Sequence, residues 1–256
     1  MALQSDEKLK NLLNAWIPQT IATSAWLNGL GISRQLARHY TSHRWLDSVG
    51  TGAFKRPQET VAWFGAVYSL QNQLKLPVHA GALTAIAAHG LSHYLRMGRE
   101  TVYLFSPSGI RLPTWFTARK WNNPIRHVKS GLLPDHLGLT KVAYGSIEIT
   151  ASMPERAILE CLYLCPEKLG LLECYEITQG LMNLRPKVMQ ALLEACASIK
   201  VKRLFLYMAD KANLPVMRHL DTGKIELGSG DRSLAANGVY NSKYRLVVPA
   251  ELANHN

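Results

Sequence analysis

The 256-residue sequence predicts an α+β protein: an N-terminal winged helix-turn-helix followed by a larger mixed α+β C-terminal domain. Three observations carry that prediction. The first 58 residues run in the order helix, helix, Gly turn, basic amphipathic helix, hairpin, the order of a winged helix-turn-helix. Beyond them, stretches of helical periodicity alternate with short strand-like runs, without repeats or low-complexity segments. Although 47% of the residues are hydrophobic, charges break them into segments, and no run approaches the roughly 18 apolar residues of a membrane helix. A chain of this length can bury a sizeable core and hold two modules.

The first helix is predicted over DEKLKNLLNAW, where Leu9, Leu12, Leu13 and Trp16 share one face; Pro18 ends it. A second starts after Thr20 in TIATSAWLNGLG and closes on Gly29 or Gly31, residues suited to positive φ after a helix. Ser33 supplies an N-cap for the third. On that helix, at 100° per residue, Ile32, Leu36 and Tyr40 fall on a packing side, with His43 after them. Arg34, Gln35, Arg38, Thr41 and Ser42 fall on the other side. The segment WLDSV, the turn GTG and then AFKR read as a β-hairpin, the wing.

After Pro57 a long helix is expected from about Glu59 to Leu74, then a second helical stretch in KLPVHAGALTAIAAHGLSHYL. These read as connector helices over 59–95, which separate a DNA-binding domain at 1–58 from a C-terminal domain at 96–256. In the latter, TVYLFSP is a strand by its bulky residues, and TWFTARKW, PIRHVKS and GSIEIT read as strands and their connections. MPERAILECLYLC is a helix, with Ser152 and Glu155 in the spacing of a capping box. EKLGLLECYEITQGL, PKVMQALLEACASIK and VKRLFLYMADK follow as helices; GKIELGSGDR and YNSKYRLVVP are strand-like around Gly-rich loops.

The net charge of +11 favours polyanionic partners, and residues 1–58 are about twice as basic per residue as the rest. Between Ser33 and Arg56, five Arg or Lys residues face one acid, Asp47. That combination explains the amphipathic helix: its apolar side seats it, and its basic side is free to lie in a major groove. The amino terminus lacks the apolar stretch of a secretory peptide, which points to the cytoplasm. Metal-binding and cofactor-binding signatures are not found. His89 and His93 have the spacing of a zinc helix, but Gly90 stands where the general-base Glu would be. Cys161, Cys165, Cys174 and Cys196 lack the Cys-x-x-Cys spacing of zinc sites and read as buried thiols. Gly50 to Gly52 and Gly228 to Gly230 do not match a P-loop, and no nucleophile elbow occurs. Glu160, Glu167, Glu173 and Glu176 read as solvated helix acids. The chain is therefore expected not to be an enzyme. Lys200, Lys202 and Arg203 form a second basic cluster, read as a solvated helix start with a speculative role as an antitoxin or partner surface.

The segments YTSHRWLDSVGTGAFKRP, VAWFGAVYSLQNQ, VHAGALTAI with HYL, YLFSP with LPTWF, SMPERAILECL, SIKVKRLFLYM, and GSGDRSL with KYRLVVP occur in this order along nearly the whole chain. In them the sequence resembles the AbiEi antitoxins of type IV toxin-antitoxin, or abortive-infection, systems. The resemblance implies a winged-helix domain that binds inverted repeats in its own promoter and represses it. It also implies a larger domain that counteracts a nucleotidyltransferase-like toxin without a stable complex. The DNA-contact candidates are Ser33, Arg34, Gln35, Arg38, His39, Thr41, Ser42 and Arg44, with Lys55 and Arg56 near the wing. Arg and Gln can make bidentate base contacts, the hydroxyls can bond phosphate, and His39 can reach the groove edge. Two other readings stay open at this point: a winged-helix regulator whose second domain binds a ligand and which has no toxin partner, and a nucleic-acid-processing enzyme.

Overall fold

The structure, a computed structural model, describes residues 2–91 and 100–255. Helix α1 (Ala2–Ala15) lays Leu12 and Trp16 into a small N-terminal core with Leu27, Ile32, Tyr40 and Leu46. It touches that core along a narrow stripe through Leu9, Leu12 and Trp16, so Leu13, one step around the helix, is 40% exposed rather than packed. The second helix starts later than expected. Ala22–Thr23 form strand β1, and α2 (Ser24–Gly29) follows, with the Thr23 hydroxyl accepting from the Trp26 amide. Gly31, at φ 72°, makes the turn into α3 (Arg34–Ser42), where Ser33 Oγ accepts from Leu36 N at 3.2 Å, the expected cap. Strands β2 (Asp47–Gly50) and β3 (Ala53–Lys55) form the expected hairpin. They join β1 in an antiparallel sheet ordered β1-β3-β2, with Ala22 opposite Phe54 and Asp47 opposite Lys55. A helix-turn-helix with a wing is thus present, and β1 closes it.

Helix α4 (Trp63–Asn72) begins later than expected, and Glu59, which precedes it, accepts from Gln19 N at 2.8 Å. The helix clamps β1. Ser69 Oγ accepts from Ile21 N and donates to Ile21 O, while the Gln73 amide accepts from Thr23 N and donates to Ile21 O. Next come β4 (His79–Ala80) and α5 (Ala82–Ala88). The end of the expected connector, including His93 and Leu95, lies outside the described residues.

The larger sheet is built from β4 together with β5 (Val102–Ser106), β6 (Ile125–Lys129), β7 (Leu139–Tyr144) and β8 (Ile147–Ser152). Its order is β6-β5-β4-β8-β7, which makes the short β4 the middle strand. β4 runs antiparallel to β5 and parallel to β8, a mixed sheet. TWFT, expected in a strand region, is a short helix α6 (Thr114–Thr117) opened by Pro113. Helix α7 (Pro154–Leu164) follows β8 and packs on α5 and on α10 (Ile199–Lys211); α8 (Leu171–Gln179) and α9 (Pro186–Ala195) flank it. Strands β9 (Arg232–Ser233), β10 (Val239–Asn241) and β11 (Leu246–Val248) form a small second sheet before α11 (Ala250–Asn254).

The expected capping box at α7 is not formed. Ser152 is the last residue of β8, Met153 is the N-cap, and Pro154 opens the helix. Both side chains are spent on tertiary bonds: Ser152 Oγ donates to Glu160 Oε2 at 2.7 Å, and Glu155 accepts from the Arg185 amide and guanidinium at 2.8 to 3.0 Å. Burial pushes the Glu155 carboxyl up, and the Arg185 hydrogen bonds outweigh it and hold the group below the usual carboxylate range.

Candidate nucleic-acid interface

Helix α3 is seated by Ile32, Ala37 and Tyr40, which are buried in the small core, with Leu36 half-buried beside them. Seven of the candidate contact residues, Ser33, Arg34, Gln35, Arg38, His39, Ser42 and Arg44, are exposed. Among the described residues the side chains of Arg34, Gln35, Arg38 and Arg44 make neither a hydrogen bond nor an ion pair. They are therefore available to an external anion without breaking an internal contact. The hydroxyls are less available: Ser33 caps the helix, Thr41 donates to Ala37 O at 2.9 Å, and Ser42 donates to His39 O at 2.8 Å.

His43, expected on the packed side, is exposed. The helix ends at Ser42 and His43 is its C-cap, so the 100° step no longer sets the direction of its side chain. Its ring lies 4.1 Å from that of His39, and Trp45 stands beside both. Arg44 follows at φ 58°, where the chain turns toward the hairpin.

Lys55 and Arg56 serve the fold. Lys55 Nζ pairs with Asp47 across the hairpin at 3.0 Å and donates to Glu59 O at 3.0 Å. Arg56 Nη2 donates to Leu13 O at 2.8 Å and also to Trp16 O, with its guanidinium carbon 5.6 Å from the Trp16 ring centroid. Arg56 thereby ties the wing to the end of α1, while Lys55 is held within the hairpin and the chain that follows it.

The second basic cluster is not a solvated helix start. Lys202 and Arg203 are 3% and 1% exposed. Arg203 donates to the carbonyls of Leu227, Gly228, Gly230 and Arg245, so the GSG segment cradles a guanidinium with its oxygens rather than a phosphate with its amides. Lys202 Nζ donates to Glu226 O, and Lys200 Nζ donates to Cys165 O at 2.6 Å. Apolar spacing in IKVKRLFLYM does not reveal a buried arginine, because its partners are backbone oxygens 24 or more residues away.

Glu160, expected on a solvated face, is 1% exposed. Oε1 accepts from His79 Nε2 and Arg156 Nε, both at 2.8 Å; Oε2 accepts from Ser152 Oγ and from Ala82 N at 3.0 Å. Burial pushes this carboxyl up, but His79 and Arg156 overcome that and hold it below its ordinary value. The ion cluster joins β4, β8, α5 and α7. Glu167 is exposed, and Glu173 and Glu176 are half-buried. His89, one of the zinc-spaced pair, bonds Ser152 O at 2.9 Å, and all four cysteines are buried.

Two family models match consecutive parts of the chain. Residues 5–97 match the model described as transcriptional regulator, AbiEi antitoxin N-terminal domain, and residues 99–249 match that described as transcriptional regulator, AbiEi antitoxin, Type IV TA system. Among solved structures, the crystal structure of the RV2827C protein from Mycobacterium tuberculosis is similar, with a TM-score of 0.60 over 95% of this chain and 90% of that one. At 13% identity that likeness concerns the fold alone. A comparison with curated proteins gave no match.

Proposed function

This chain belongs to the AbiEi antitoxin family of type IV toxin-antitoxin systems, whose members are transcriptional regulators, and from that premise we propose that it is the antitoxin and autorepressor of its own operon. The winged helix, residues 1–58, binds double-stranded DNA at inverted repeats in the promoter, and the remainder of the chain counteracts a nucleotidyltransferase-like toxin in the cytoplasm without a stable complex. One observation carries the DNA half: the exposed face of α3 presents Arg34, Gln35 and Arg38 without internal partners. It stands on the second helix of a helix-turn-helix, the element that enters a major groove in such folds.

In this reading Arg34, Gln35 and Arg38 read base edges, Arg44 neutralises a phosphate beside the wing, and His39 borders the groove. Lys55 and Arg56 contribute by fixing the wing. Residues 59–95 connect the two modules in this reading, with α4 holding the winged helix and β4 contributing to the large sheet. Buried fold-supporting roles for Glu160, Lys202 and Arg203 support a non-enzymatic second module.

The test is a gel shift of the full chain on its own upstream DNA and on scrambled DNA, across a salt series, beside the Arg34→Ala/Arg38→Ala variant. Selective binding lost in the variant is expected; equal binding to both DNAs, unchanged in the variant, overturns the repressor reading. For the antitoxin half, growth rescue on co-expression with the adjacent toxin, with no co-purification of the two, is expected; failure to rescue overturns it.

A further inference from the structure

A cavity of about 150 Å³ opens where β5 and β6 end, lined by His79, Ser106, Asp135, Lys141 and Arg156 and closed beneath by Glu160. Leu132, Leu133, Leu139 and Phe105 form apolar walls, so charges inside act through a medium less polarisable than water. His79 and Arg156 are each 5% exposed. Each is held by only part of its polar edge: Arg156 uses Nε and Nη1, and His79 uses Nε2. Among the described residues the enclosed side-chain polar atom without a partner is Arg56 Nε. Arg156 Nη2 and His79 Nδ1, which make no hydrogen bond either, are consequently open to the cavity they line.

The chemistry of these open atoms is defined. Glu160 is ionised and accepts four hydrogen bonds, so His79 donates through Nε2, and Nδ1 is the ring nitrogen left facing the cavity, where a hydroxyl can bond it as donor or as acceptor. Arg156 Nη2 is a cationic donor. Lys141, at the mouth, gives one of its three N–H groups to Thr150 Oγ1 at 2.9 Å and keeps two. Glu160 has its charge matched internally, whereas among the described residues the Asp135 carboxylate at the rim has no ion-pair partner and opposes a ligand carrying several negative charges. We propose that this cavity binds a small hydroxylated oxyanion, its charged oxygens on Arg156 and Lys141 and its hydroxyl against His79 Nδ1. Dihydrogen phosphate and a short hydroxycarboxylate, each singly charged, share that chemistry. The ligand would also touch Gln71 of α4, two residues from the Ser69 and Gln73 that hold β1.

Calorimetric titration of the full chain, without DNA, with glycolate, inorganic phosphate and acetate tests the proposal. Saturable binding of glycolate or phosphate is expected, and the one that saturates identifies the source of the oxyanion. Acetate, which has the charge but no O–H, is expected to bind at least about fivefold more weakly. Lys141→Glu, a change at an exposed side chain whose folding is checked by an unchanged urea midpoint, is expected to weaken binding about tenfold. No saturation by either ligand below about 10 mM, equal binding of acetate, or an unchanged Lys141→Glu variant overturns the proposal. Because no DNA is present, failure here leaves the repressor reading untouched.

Discussion

Replacing Glu160 by Gln keeps the shape of the side chain and removes its charge, which isolates what the buried ion cluster contributes. With the amide oxygen turned toward His79 Nε2 and Arg156 Nε, the new NH2 group faces Ser152 Oγ and the Ala82 amide. The Ser152 hydroxyl can rotate to accept, but the Ala82 N–H is left without an acceptor in the interior, which costs about 1 to 3 kcal/mol. Arg156 keeps its bonds to Pro134 O and Leu137 O and loses its counter-charge. Removing one partner of a buried ion pair costs about 3 to 5 kcal/mol in all, a figure that contains the orphaned amide. For a domain of this size that corresponds to a Tm lower by about 6 to 20 °C. Urea and thermal denaturation of the variant beside the parent measure it directly. A loss below about 1 kcal/mol would refute the reasoning, since it would mean that water or a local shift satisfies these groups at little cost.

Further outcomes follow from the same geometry. Glu155 and Glu160 are both held below the ordinary carboxylate pKa, so their contribution is present above about pH 4.3 and is lost as the pH falls through their folded values. Acid unfolding of Glu160→Gln is expected to be less steep than that of the parent, as a pH series of urea midpoints would show. At Gly65 a Cβ would stand 2.0 Å from Gln19 O, backbone that cannot yield while α4 clamps β1. Gly65→Ala, although it favours a helix, is therefore expected to destabilise by at least about 1 to 3 kcal/mol, read from urea midpoints. Arg203→Met should cost a similar amount by leaving four carbonyls without their donor, and should leave operator sequence preference unchanged in a gel shift.

The winged helix was legible because its signals are local. Ser33 caps, Gly31 turns, and the spacing of Ile32 and Tyr40 sets which face of α3 looks outward. The local signals lose their force where that spacing stops applying, as at His43 beyond the helix end, and where a side chain is bound by distant chain. Lys55 and Arg56 resemble wing phosphate contacts in sequence, yet their partners are Asp47, Glu59, Leu13 and Trp16. The strand Ala22–Thr23 is legible only through β3, which lies some thirty residues on. In the second module the helices followed from their periodicity. Glu160, Lys202 and Arg203 did not, because a buried charge and a solvated one look alike until the carbonyls and carboxylates that satisfy them are brought together.

The central claim is that the outward face of α3 reads the operator, and fluorescence anisotropy with Arg38→Ala on a set of single-base operator variants tests it most directly. The account predicts a loss of about 1 to 3 kcal/mol on the parent operator, with discrimination relaxed at one base pair per half-site and retained at the others. A uniform loss across all sequences would place Arg38 on phosphate, and no loss at all would contradict the assignment of α3 as the recognition helix.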